Sequence, residues 1–235
     1  MAQSVMKKII VFGATGMIGS ELVRQAANDS SIELITTITR KPLPDDIIRS
    51  SKLNPIIHRN FLDYSSFDNV FLAHDTCLWC LGISQNKVNE TEYYQITYDY
   101  VMEAAKQMLK SNPEITFLFV SGEGADSTEQ SRFLFGRVKG KTENDLLKLA
   151  FKHIYILRPG FIKPMHKNSH TAWYEKLANP LYYPVKLVAP SKVITSTDFA
   201  NVMLFITKHG LEDIGNKPLH NKDMNQIIKQ YHLTS

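Results

Sequence analysis

Cysteine is nearly absent from this chain, with two thiols, Cys77 and Cys80, among 235 residues. Their C-x-x-C spacing falls inside Thr76-Cys77-Leu78-Trp79-Cys80-Leu81, which reads as a buried strand. Residues three apart on a strand point to opposite faces, so these thiols can neither pair nor share a metal. A redox dithiol also needs a helix N-terminus to lower its pKa, and a strand offers none. Buried structural cysteines are expected instead. Metal-ligand spacing is missing among the eight histidines as well. His166 and His170 come nearest to it, without further ligands close by, so no metal is expected.

Long apolar runs are missing too. No stretch can span a bilayer, and no membrane partner is expected. The formal net charge is only +4, its basic residues are scattered, and no basic stripe interleaves with aromatics. That argues against a nucleic-acid partner. There is no internal repeat and no low-complexity tract. The first strand pattern opens within ten residues of Met1, which leaves no room for a signal peptide and points to a cytoplasmic location. What remains is ordinary globular usage, 43% apolar and 21% charged, in a chain long enough for one large core.

The most informative stretch that is present runs from Lys8 to Ser20, KIIVFGATGMIGS. A short apolar run breaks into Gly13-Ala14-Thr15-Gly16-Met17-Ile18-Gly19, and a helical pattern follows at once. A strand, a glycine turn and a helix N-terminus bring bare backbone N–H groups and the positive end of a helix dipole to one point. A pyrophosphate can sit there. Gly13 would allow the turn, Gly16 the approach of phosphate, and Gly19 the packing of helix on strand. Glycine spacing alone is weak; its place between a strand and a helix supplies the context.

Strand-length apolar runs at 7–12, 32–38, 55–58, 75–81, 115–121 and 153–158 alternate with amphipathic stretches at 17–28, 65–71, 91–111, 133–151 and 197–209. This alternation predicts an α/β fold, a doubly wound parallel sheet of Rossmann type. The runs are continuously apolar, as for strands covered on both faces. From Pro159 the periodicity fades, and a short irregular C-terminal lobe is expected. Residues 1–235 read as one domain, with about 159–195 covering the substrate crevice. Trp173, Tyr174, Tyr182 and Tyr183 in that segment identify no ligand.

The second strand ends in Thr39-Arg40-Lys41, where NAD-specific folds place a carboxylate for the ribose 2′-hydroxyl. A carboxylate would repel a 2′-phosphate, whereas a guanidinium fork bonds it. NADP is therefore favoured over NAD.

Several motifs now occur in order: GATGMIG, TRKP, NFLDYSSF, CLGIS, VSGEGAD, VKGKTE and LRPGFI. Together, over roughly residues 5 to 205, they resemble an atypical short-chain dehydrogenase/reductase of the Tat-interacting-protein-like oxidoreductase branch. The resemblance implies a dinucleotide cofactor on the glycine stretch and roles for matching positions. Asp63 matches an acidic loop near the adenine, and Leu81 and Gly82 a turn beside the ribose. Ser121 matches the end of strand five. Lys139 matches the active-site lysine that holds the nicotinamide ribose. Pro159 and Gly160 match the turn beside the nicotinamide amide. The bland alternatives are plain turns at Gly82 and Gly160 and a helix N-cap at Asp63.

The family's catalytic unit is Tyr-x-x-x-Lys, where the i, i+4 spacing lets the lysine charge lower the phenol pKa. Here Phe135-Gly136-Arg137-Val138-Lys139 keeps the lysine and replaces the tyrosine. Ser121 is offset by one from the catalytic serine, with Gly122 in its place. Lys139 and Ser121 remain the catalytic candidates. Two functions follow. One is an NADP-dependent reductase of a small carbonyl or quinone, its proton supplied by Tyr93, Tyr94, Tyr98 or Glu123. The other is a non-catalytic NADP-binding sensor or scaffold. A homodimer is the base-rate assembly.

Overall fold

Ile9, Ile10, Val11 and Phe12 are all fully buried, because the strand they form lies in the middle of a sheet covered on both sides. The computed structural model describes residues 6–44, 50–166, 182–211 and 217–233. Strand β1 (Lys7–Phe12) is flanked by β2 (Ile32–Thr39) and β4 (Thr76–Trp79), and beyond them come β3 (Leu53–Ile57), β5 (Thr116–Val120), β6 (Ile154–Arg158) and β9 (Leu219–His220). The order is β3-β2-β1-β4-β5-β6-β9, and every neighbouring pair is parallel. The expected doubly wound sheet is thus present. Strand order reverses between β1 and β4, and such a switch point opens a crevice at the carboxyl ends of the strands.

The period of two divides each strand between two cores. Ile9 and Val11 face an aliphatic layer that includes Leu22 and Val23 of α1 (Met17–Asn28), Phe199 and Met203 of α7 (Ser196–His209), and Met224 of α8 (Asn221–Tyr231). Ile10 and Phe12 face an aromatic layer with Tyr64, Trp79, Phe117 and Phe119. Phe71 of α2 (Asp68–Leu72), Val101 and Met108 of α4 (Tyr100–Ser111) and Leu146 of α5 (Leu134–Leu147) close that side. The Phe12 and Trp79 rings stack at 4.2 Å. Truncating either to alanine should cost about 3–5 kcal/mol.

Several boundaries differ from the sequence expectation. The stretch 65–71 opens as turn, and α2 starts only at Asp68. The stretch 133–151 ends as helix at Leu147. The stretch 91–111 is one path made of α3 (Glu90–Tyr94), a π-helical turn (Gln95–Asp99) and α4. A π turn frees backbone carbonyls, and the Thr142 hydroxyl donates to Thr97 O at 3.2 Å. The C-terminal part is more regular than expected. It holds β7 (Phe161–Lys163) paired with β8 (Val193–Thr195), helix α6 (182–188), the seventh sheet strand β9, and α8. Two- and three-residue strands carry too little periodicity to be seen in sequence. Within the expected covering segment, 167–181 lie outside the described residues, and with them His170, Trp173 and Tyr174. Tyr182 is buried and Tyr183 exposed, with the Lys163 ammonium over both rings at 4.5 and 4.8 Å.

Cys77 is buried in β4, Cys80 is half-buried just beyond it, and both are free thiols. Burial pushes Cys77 well above its ordinary pKa and Cys80 up to about 12. At neutral pH such thiols stay protonated and inert.

Candidate functional site

The crevice has two ends, and the glycine stretch builds the first. Gly13 leaves β1 with φ +77°, and a Cβ there would lie 2.6 Å from Leu81 N. A Cβ on Gly19 would run into the Gly13 carbonyl, so α1 packs on β1 only without that side chain. Gly16 is the N-cap of α1, donates its N–H to Gly13 O at 2.9 Å, and no side chain caps the helix. The backbone at this N-terminus is therefore left for an anion. Ala14 and Ile18 are core residues, whereas Thr15 and Met17 are half-buried at the turn.

Neighbouring loops extend this end. Arg40 and Lys41 are exposed just past β2, and the Thr39 hydroxyl fixes their turn by donating to Lys41 O at 2.7 Å. Neither cation is paired with a carboxylate among the described residues. Asp63 is exposed on a turn seven residues after Ile56 in sequence. It accepts from Ser65 N at 2.9 Å, a bond that holds its carboxyl below the usual range. Because α2 starts at Asp68, Asp63 is not its N-cap. Leu81 is half-buried against the aromatic layer. Gly82 is exposed, and a Cβ there would meet nothing within 4 Å.

The second end lies at the exits of β5 and β6. Lys139, from α5, is 7% exposed. Its ammonium donates to Val120 O at 3.0 Å and stands 4.6 Å over the Phe119 ring. Burial pushes its pKa down to about 8, partly offset by the charge of Glu143. The Ser121 hydroxyl donates to the Glu143 carboxylate. Glu143 is itself buried and clamped by Arg158, whose Nε donates to both carboxylate oxygens at 3.0 Å. Pro159 is buried, and Gly160 is half-buried beneath Lys192 O and Asn221.

Phe135 and Gly122 prove to be one feature. A Cβ on Gly122 would stand 2.8 Å from Phe135 Cζ. The phenyl ring covers the place a serine side chain would need, so the two departures from the family pattern fit each other. The alternative donors are dispersed. Tyr93 is fully buried with its hydroxyl unpartnered. Tyr94 stacks on Tyr98 at 5.0 Å. Tyr98 donates to Asp145 at 2.8 Å, and burial with that bond raises its pKa to about 12. Glu123 pairs with His220 at 2.8 Å.

Sequence reasoning missed Glu143, Arg158, His220 and Asn221. Glu143 stands four residues past Lys139, on the same helix face, and that spacing was a usable signal. The others come from β6, β9 and the start of α8, distant in sequence, and left none. The open glycine cradle, the uncapped α1 and the unfilled space at Gly82 fit a dinucleotide in extended form.

The sequence profile of the NAD dependent epimerase/dehydratase family matches residues 9–142. Protein FMP52, mitochondrial, of Candida albicans is 33% identical over 162 residues, 68% of this chain and 69% of that protein. Protein HTATIP2 of Rattus norvegicus is 26% identical over 159 residues, 66% of this chain and 63% of that protein. The matched region therefore spans roughly two thirds of these relatives. A solved short chain dehydrogenase family protein from Francisella tularensis superposes with a TM-score of 0.64 at 15% identity, over 94% of this chain and 100% of that one. The FMP52 relatives are named mitochondrial, which overturns the cytoplasmic expectation. The position of the first strand carries no information about which compartment holds the folded chain.

Proposed function

The chain belongs to the NAD dependent epimerase/dehydratase family, in the short-chain dehydrogenase/reductase branch typified by Tat-interacting-protein-like members, and on that premise we propose that it binds NADP(H) and reduces a small carbonyl or quinone. The observation that carries the cofactor half is the Gly13–Gly19 turn, where the backbone of Leu81 and of the turn itself excludes a side chain at Gly13 and Gly19. The backbone of Gly13, Ala14, Thr15, Gly16, Met17, Ile18 and Gly19 would hold the pyrophosphate. Arg40 and Lys41 would take the 2′-phosphate, a role that favours NADP over NAD. Asp63 would lie on the adenine side and Leu81 and Gly82 beside a ribose. Lys139 would hold the nicotinamide ribose and, with Ser121, border the reacting atoms. Pro159 and Gly160 would face the amide.

The bound group supplies a hydride, and the protein supplies place and proton. Residues 1–235 serve in this proposal as one domain, with 159–195 over the substrate. A second function is favoured by the Phe135–Gly122 contact: an NADP(H)-responsive sensor or scaffold that keeps the cradle and forgoes proton transfer. One set of measurements separates them. Dissociation constants for NADPH and NADH test the cofactor, and a panel of aldehydes, ketones and quinones tests turnover. NADPH that raises the melting temperature without any turnover selects the sensor. Tighter binding of NADH refutes the 2′-phosphate assignment.

A further inference from the structure

With a phenyl ring at position 135, the reacting end lacks a phenol, and its nearest hydroxyls and ammonium are directed elsewhere. Ser121 faces Glu143, Lys139 faces Val120 O, and Tyr98 faces Asp145. One further titratable group stands at this edge of the sheet. Strand β9 runs parallel to β6 with His220 in register with Arg158, which places the imidazole at the carboxyl edge, beside the Pro159–Gly160 turn.

Three loops meet there through hydrogen bonds. Glu123 N donates to Pro159 O at 2.8 Å, and the Glu123 carboxylate lies 2.8 Å from His220 Nδ1. Gly160 N donates to Asn221 Oδ1 at 3.1 Å. Asn221 is 3% exposed, yet its Nδ2 has no partner among the described residues. A buried amide is costly to leave unsatisfied, and a ligand oxygen would satisfy it. The imidazole side chain is 41% exposed. Around His220 stand Glu123 from the β5 exit, Asp223 on α8, Arg158 on β6 and Lys217 before β9.

We propose that His220, oriented by Glu123, is the proton donor of this site in place of the missing phenol. The proposal rests on the reductase function above. In carbonyl reduction the carbon gains a hydride from the dihydronicotinamide, and the C=O π pair moves onto oxygen. The Nε2–H bond of His220 breaks, and its proton completes the hydroxyl. Water then reprotonates the imidazole, while the Glu123 carboxylate keeps accepting from Nδ1–H. Glu123 is a positioning residue, since it acts through the ring.

The test uses the full chain and the substituents His220→Asn, Glu123→Gln and His220→Asn with Phe135→Tyr. Asparagine is a favoured N-cap residue, and the backbone bond from position 220 to Asp223 is untouched, so the start of α8 is retained. His220→Asn is expected to lower kcat about 100-fold with the NADPH dissociation constant unchanged. Glu123→Gln is expected to shift the pH profile of kcat, and Phe135→Tyr to restore part of the loss. Independently of turnover, saturating NADP+ should move the NMR signals of the His220 ring. A His220→Asn protein with the kcat and pH profile of the parent overturns the assignment and leaves the reductase function standing. A parent that binds NADPH, turns over nothing in the panel and shows unmoved ring signals overturns both.

Discussion

The two ends of the crevice are built by opposite means. The glycine end is made of backbone within one seven-residue turn, where neighbouring backbone excludes a Cβ at Gly13 and Gly19. The reacting end is made of side chains from α5, β6 and the turn after β5, and there the family's phenol and serine are replaced by a ring lying on a glycine. The glycine turn thus keeps its form where geometry is local, and the pattern departs from the family's at Phe135 and Gly122, where several elements must agree.

The largest effect should come from breaking the glycine end. Gly13→Ala forces a Cβ to 2.6 Å from Leu81 N at φ +77°; such strain should weaken NADPH binding about 100-fold or more by calorimetry. Binding as tight as the parent's would remove the cradle from the site. At the other end, Phe135→Tyr should leave that dissociation constant unchanged while raising kcat about tenfold or shifting its pH dependence. Arg40→Asp should weaken NADPH about tenfold, leave NADH nearly as it was, and so invert the preference.

Stability sharpens the contrast. Gly122→Ser alone should destabilise by about 1–3 kcal/mol, read from denaturant melts, because the added Cβ meets Phe135 Cζ at 2.8 Å. Pairing it with Phe135→Ala should relieve the crowding. The smallest effect is electrostatic. Folded Lys139 releases its proton near pH 8 because burial disfavours the charge, whereas an unfolded lysine holds it to about pH 10.4. Across that window the unfolded chain binds more protons, so stability should rise with pH. Lys139→Met should lose that rise in matched melts.

Much of this was visible in the chain before any coordinates. Six sheet strands were anticipated because Ile9–Phe12, Cys77–Trp79 and Phe117–Phe119 are apolar on consecutive positions, the mark of strands covered on both faces. The glycine turn was visible because it is local. The second sheet, β9 and α8 were not, since strands of two and three residues are chosen by the partners they meet. His220 could not be placed, because only the β6–β9 register brings it to Arg158. The complementarity of Phe135 and Gly122 was equally hidden; each looked like a separate loss until the ring was seen on the glycine.

Residue order alone determined the alternation of strands and helices, the glycine cradle and the burial of Cys77, because these follow from periodicity and from the conformational limits of single residues. Tertiary structure decided which side chains share that end of the crevice, which hydroxyls are already engaged, and where the Glu123-bound imidazole of His220 stands. Those depend on contacts between segments as far apart as Glu123 and His220, and separation of that size is spanned only when the sheet sets the register.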